Sequence, residues 1–239
     1  MTPDEFRLML RRRLGMPLPQ IRDIRCSCKN KPVLDPHGVH LVNGCPLGKD
    51  RNSTHNMMVH TFASLCRSAG LHTKIEITDA FRSVSPLNGT RPDVEFHGLL
   101  ERGVFGDVRI AEPCCAKVTR PQAANPGRAA RAGELEKRRL YQTASEQLGY
   151  AFYPLIFETY GRWGDSMLEV FNLLVKRAAE FKGIALGAMA TYWRRRLAVT
   201  LQKMIARCIL ARMGRLNSSP FRDESSWVGL VEEQGYARH

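Results

Sequence analysis

The chain has 239 residues, 44% of them hydrophobic and 25% charged, which suits one large domain or one domain with appendages. Its longest apolar runs are broken by Lys, Arg or Glu well short of the ~20 residues a membrane span requires, and "MTPDEFRLMLRRRLGMPLP" lacks an apolar core and a cleavage pattern, so neither a span nor a secretory signal is expected. A count of 36 Lys and Arg against 23 Asp and Glu gives a net charge of +13, a balance that favours a polyanion such as nucleic acid as partner.

In chain order, residues 4–14, "DEFRLMLRRRL", read as a short basic helix ended by "GMPLP". Residues 24–50 are loop-rich and hold Cys26, Cys28, His37, His40 and Cys45. The stretch "NSTHNMMVHTFASLCRSAG" predicts a helix capped by Ser53 or Thr54, with Met58, Phe62, Leu65 and Ala69 at helical spacing and Gly70 as its stop. "HTKIEIT" alternates as a strand, and "PDVEF" and "GVFGDVRIA" continue as two more, separated by a turn. After a Pro/Gly-rich connection at 113–127 comes a helix over 128–148, then the apolar strand "YAFYPLIFE". Amphipathic helices follow over 165–182 and 186–213, and the stretch from Asn217 reads as irregular. The order is that of an α/β domain with a small metal-type module in front and helices behind. Boundaries are expected at 1–23 (basic helix and linker), 24–50 (knuckle), 51–164 (core), 165–216 (helical extension) and 217–239 (tail).

The front module carries C-x-C-x11-H-x4-C through Cys26, Cys28, His40 and Cys45, a ligand set that suits a closed tetrahedral zinc site. His37 is an alternative to His40, although the spacing before Cys45 favours His40. A segment this poor in apolar residues needs a cross-link to hold a shape, and metal binding supplies folding free energy directly. With all positions filled by protein ligands, the zinc would be structural. Cys66, Cys114, Cys115 and Cys208 read as thiols outside that site, which fits a reducing, intracellular compartment.

Strand alternation puts Asp93 and Glu95 on one face and Val94 and Phe96 on the other; Asp107 and Arg109 likewise oppose Val108 and Ile110. A buried carboxylate must be paired, hydrogen-bonded or metal-bound. Two neighbouring strands with one Asp each on the same face can hold a hard cation such as Mg²⁺ between them. On the 128–148 helix, Lys137 shares the apolar stripe of Ala130, Tyr141, Ala144 and Leu148, so it is expected to face the sheet. There it can orient or help deprotonate a water; the plain alternative is a lysine whose stem lies along the core with its head in water.

The ordered set "CSC…GVH…GCPLGKDRNSTHN", "IEI", "RPD", "GDVRI" and "ELEKRRLY" resembles the restriction-like endonuclease domain of site-specific non-LTR retrotransposons, from about Leu14 to about Gly164. The resemblance implies a PD-(D/E)xK core, a central mixed sheet flanked by helices. It implies Asp93 and Asp107 as acids for Mg²⁺ or Mn²⁺, Glu76 as the acid preceding them, and Lys137 as the catalytic lysine placed on the helix. His55 and Asn56 match the family's His-Asn pair, which contacts DNA or caps and packs its helix. One position departs from the pattern: two residues after Asp107 stands Arg109, where the family's standard motif has Lys. Arginine binds phosphate but cannot serve as a base, so the role falls to Lys137 or to Lys117, or the site is crippled.

The helix over 186–213 adds Arg194, Arg195, Arg196, Lys203 and Arg207 around an apolar stripe of Trp193, Leu197, Leu201, Met204 and Cys208. These, with Arg91 and Arg109, are candidate contacts to the phosphate backbone, or a solvated helix face. The expected function is a metal-dependent endonuclease that nicks target DNA for target-primed reverse transcription in the nucleus of a eukaryotic host. The reverse transcriptase would lie elsewhere in a longer polyprotein, and the element's RNA and a second copy of the chain are further candidate partners. The rival readings are a domesticated or inactive module that binds DNA or RNA without cutting, and a structure-selective nuclease resembling junction resolvases.

Overall fold

The computed structural model describes residues 1–18, 21, 25–26, 28–30, 32–45, 49–84, 91–114 and 125–213. Lys117, Cys115, most of the 113–127 connection and the tail from 217 lie outside them.

The chain begins with helix α1, Pro3–Arg13. Thr2 caps it: its hydroxyl accepts from the Glu5 N–H, and the Glu5 carboxylate accepts from the Thr2 N–H at 2.7 Å. That reciprocal pair satisfies two amide groups that a helix start otherwise leaves open. After the metal-type module comes α2, Lys49–Ser68. Ser53 and Thr54 therefore lie inside this helix and do not cap it, a correction to the sequence reading. Good capping residues are only mildly unfavourable in helix interiors, and nothing between residues 49 and 52 breaks a helix.

Four strands follow: β1 His72–Ile75, β2 Val94–His97, β3 Val104–Ala111 and, after helix α3 (Arg128–Gln147), β4 Ala151–Glu158. They form one sheet in the order β1-β2-β3-β4, antiparallel in the first two pairs and parallel between β3 and β4. The first strand is shorter than its alternation suggests, because Glu76 takes a left-handed backbone (φ 56°). Helices α4, Asp165–Lys182, and α5, Leu186–Arg212, complete the described chain. The structure is thus an α/β fold with a four-stranded mixed sheet flanked by helices and an N-terminal Cys3His cluster. Among the described residues no helix is long and apolar enough to cross a membrane.

The two faces of the sheet have different tasks. Val94, Phe96, Val104, Val108, Leu155 and Phe157 point to the main core, which α2, α4 and α5 cover. The expected stripe of α5 is buried: Trp193, Leu197 and Leu201 belong to that core, and Met204 and Cys208 are buried as well. Among the described residues the other face is covered over β3 and β4, where Phe105 and Phe152 meet Tyr141 and Ala144 of α3, and Ile156 meets Ala130. Here α3 comes close through Gly133, where a Cβ would stand 3.3 Å from Ile156 Cγ2.

The N-terminal module is tied into this framework. Its Cys26, Cys28, Leu34, Leu41 and Cys45 belong to the same continuous core as the sheet and α5. Arg12 of α1, wholly buried, donates to the His37 carbonyl and forms a 2.6 Å ion pair with Glu112 just beyond β3. Glu112 also accepts from the Thr159 hydroxyl at 2.9 Å. Arg207 of α5 reaches Glu5 of α1 at 2.9 Å.

Candidate metal centre and catalytic cleft

The Cys3His cluster is built by three short pieces of chain. An isolated bridge between Arg25 and Val33, with the Cys26 N–H donating to the Pro32 carbonyl, brings Cys26 and Cys28 round one turn. Asp35 then collects the N–H groups of His37 and Val39 on one carboxylate oxygen and that of His40 on the other, at 2.9–3.1 Å. These bonds fix the entry to a five-residue π-helical turn, His40–Gly44, that delivers His40 and Cys45. All four ligand atoms lie within 4.8 Å of one another. Cys26 and Cys45 sulfurs are 3.5 Å apart, and Cys28 Sγ is 3.6 Å from His40 Nε2. Ligands held at ~2.0–2.3 Å by one tetrahedral zinc stand roughly 3.5–3.8 Å from each other, so these two pairs are at zinc-site spacing and the group could hold a zinc ion. His40 is the imidazole of the set; His37 lends its carbonyl to Arg12 instead.

The second site lies where β2 ends against β3. Val94 pairs with Gly106, and the Asp93 N–H donates to the Gly106 carbonyl, so Asp93 and Asp107 occupy the next cross-strand position on one face. At that point Asp93 leaves the ladder and its side chain takes over, accepting from the Val108 N–H at 2.7 Å. His55 of α2 sits above it, with Nε2 3.0 Å from Asp93 Oδ2 and 3.1 Å from the Val108 carbonyl. Its Nδ1 faces Asn56 Oδ1 at 3.2 Å. Both ring nitrogens thus face acceptors, an arrangement only the protonated ring satisfies in full. Burial works against that charge, but the bond to Asp93, its charge, Asn56 and Asp107 outweigh it, and the pKa of His55 is raised.

Asp107 is buried, and Lys137 Nζ stands 2.6 Å from its Oδ2. The contact is a close ion pair, and the Tyr141 hydroxyl is a further polar neighbour of Asp107. Burial first, then the charge of Asp93, push Asp107 up to about 6, with Lys137 and His55 opposing. Lys137 also lies over the Tyr141 ring at 5.4 Å, so it faces the sheet as its stripe predicts. Arg109, on the same face as Asp107, pairs with Glu136. His55, Arg109, Glu136 and Lys137 line one cleft of about 620 Å³, with Arg128 at its edge.

The remaining candidates fall elsewhere. Glu76 places its N–H on the Asp93 carbonyl, but its side chain is exposed. Arg91 is exposed beside Pro92. Arg207 is spent on Glu5, Arg194 lies over Trp163 and Phe171, and Arg196 bonds the Tyr192 hydroxyl at 2.7 Å. Arg195 is exposed, and Lys203 is partly buried. A third charged group was not anticipated: Glu95 receives His97 at 2.7 Å and the Tyr150 hydroxyl at 3.1 Å, on the same sheet face as Asp93. Its alternation with Asp93 was visible, but its partners come from residues up to 55 positions away. No protein-family model matches the chain, and a search of curated proteins finds no match either.

Proposed function

We propose that the chain is a divalent-metal-dependent DNA endonuclease with a restriction-endonuclease-like PD-(D/E)xK core, akin to the nuclease domain of site-specific non-LTR retrotransposons. The observation that carries this reading is the convergence of Asp93 and Asp107 from neighbouring strands with Lys137 from the following helix, 2.6 Å from Asp107. Two carboxylates that repel each other, one of them buried, form a donor set that suits Mg²⁺ or Mn²⁺. When bound, such an ion polarises a phosphodiester and lowers the pKa of a coordinated water.

The chain's own groups do the rest. Val108 N–H and His55 hold the Asp93 carboxylate in one orientation. Lys137, paired with Asp107, orients the attacking water and stabilises charge growing on the phosphate. Arg109 meets the phosphate and takes no proton; its pair with Glu136 is half exposed and gives way easily to a polyanion. The Cys3His group holds zinc structurally, close to the end of β3 through Arg12.

A second reading, a module that binds nucleic acid without cutting, draws on Arg109 in place of Lys and on the His55 clasp over Asp93. Nicking of supercoiled plasmid and of branched DNA with Mg²⁺ or Mn²⁺ separates the two. Asp93→Ala and Asp107→Ala are expected to slow cutting by about 10²-fold or more while leaving binding largely intact. A wild-type protein that binds DNA in a salt-sensitive way and cuts none of these substrates would establish the second reading instead.

A further inference from the structure

On the side of α2 away from the cleft, α2 and α5 enclose a groove of about 950 Å³. His55 faces the cleft, whereas Met57 and Thr61 line the groove, so the helix separates the two. The groove has an apolar floor that includes Met57, Met204 and Val199, the last 52% exposed. Its rim carries Arg195, Arg196 and Lys203, and among the described residues no acidic side chain lines it. Arg195 and Lys203 are separated by about 12 Å along the helix at 1.5 Å per residue, far enough apart to meet different phosphates of one strand.

Tyr192 is the feature that points to an occupant. It is 39% exposed on the groove wall, yet its ring is held in place. Arg196 bonds its hydroxyl at 2.7 Å, with the guanidinium carbon 5.9 Å from the ring centre, and Trp193 meets the ring edge-on with centroids 5.3 Å apart. A fixed aromatic face, an apolar floor and a spaced row of cations match what an unpaired strand offers: base faces on one side and phosphates on the other. A duplex has its bases stacked inside and brings no such apolar surface.

We propose that this groove binds single-stranded nucleic acid, with a base stacked on Tyr192 and phosphates on Arg195 and Lys203. The groove is independent of any chemistry in the cleft. Lys203 supports the assignment: burial and then the charge of Arg207 lower its pKa, despite Glu5, and a phosphate beside it reverses that pull.

The test is fluorescence anisotropy with a labelled 12-nucleotide oligothymidylate and a 12-base-pair duplex, with Asp107→Ala as the parent protein so that cleavage cannot enter. Tyr192→Ala is expected to weaken oligothymidylate binding about five- to hundredfold, the range of one lost stacking contact, and duplex binding less than about twofold. Tyr192→Phe keeps the ring and is expected to restore oligothymidylate binding. Arg195→Ala with Lys203→Ala should flatten the dependence of log K on log salt by about 1.4, two phosphates at ~0.7 each. Equal losses for duplex and single strand, no loss at all, or a Tyr192→Phe protein as weak as Tyr192→Ala would each overturn the proposal. Tighter, Tyr192-dependent binding of an acidic peptide with the sequence of residues 223–233 would overturn it too, making the groove a peptide site. Melting curves superimposable on the parent are expected, since the substituted side chains lie at the groove surface.

Discussion

At Glu76 a non-glycine residue holds a left-handed backbone that ends β1. That conformation costs about 1–2 kcal/mol in an L-residue with a Cβ, so Glu76→Gly is expected to raise stability by about 0.5–1 kcal/mol in a chemical melt. The same variant reports on function: unchanged nicking would remove Glu76 from the acid set, and a large loss would place it there. Lys137→Ala should slow cutting about 10²-fold, while Lys137→Arg should retain the pairing with Asp107 and restore part of the rate if charge is what matters. Both aspartates and the inward lysine were legible in the sequence, since period-2 and period-3.6 spacing suffice to assign a face. What spacing could not show is the company they keep. His55 reaches Asp93 from 38 residues away, and only the fold reveals that a carboxylate replaces a missing ladder bond on Val108.

Helix α1 illustrates how an element read as a basic appendage becomes part of the core. Its capping box is written in "TPDE" and could have been recognised from spacing alone. Its buried arginine could not, because Arg12 looks like its neighbours Arg11 and Arg13 until Glu112 is placed beside it. Arg12→Ala leaves that carboxylate uncompensated in the interior, and a loss of about 3–5 kcal/mol is expected by thermal or urea unfolding. Glu5 gives the element a pH signature. Burial would raise its pKa, but Arg207 and the Thr2 N–H more than offset that, and the carboxyl is held below its ordinary 4.5. A depressed carboxyl contributes stability that is present above the unfolded value and is lost as pH falls through the folded one. Melting temperature should therefore fall below about pH 4.5 more steeply in wild type than in Glu5→Gln. Helix α2 starts at Lys49, ahead of Ser53 and Thr54, for a related reason: capping residues are informative only where the preceding chain stops being helical.

Across the whole molecule, the metal module, the sheet and the last helix share one continuous core. Removal of the zinc proposed for the Cys3His cluster should for that reason destabilise the entire fold and not merely loosen residues 26–45. The expected result is about one zinc per chain by metal analysis, with a single unfolding transition that shifts down by 10 °C or more, on the order of several kcal/mol, in Cys45→Ser. A Cys45→Ser protein with an unchanged midpoint would show that the cluster is incidental. The element order and the Cys3His ligand set could be read from sequence, because both rest on local spacing. How the modules join could not, since the joints are single side chains: Arg12 to Glu112, Arg207 to Glu5, and Gln202 to the Thr159 carbonyl.

The Glu5–Arg207 contact spans 202 positions, and this bears on how the chain is made. At about 5–20 residues per second of synthesis, the first helix leaves the ribosome roughly 10–40 s before its partner on the last one. During that interval the Glu5 carboxylate is solvated and α1 lacks the helix it packs on. Nascent chains arrested before residue 200 should accordingly be cut by protease within α1, and those arrested well beyond residue 212 should be protected there.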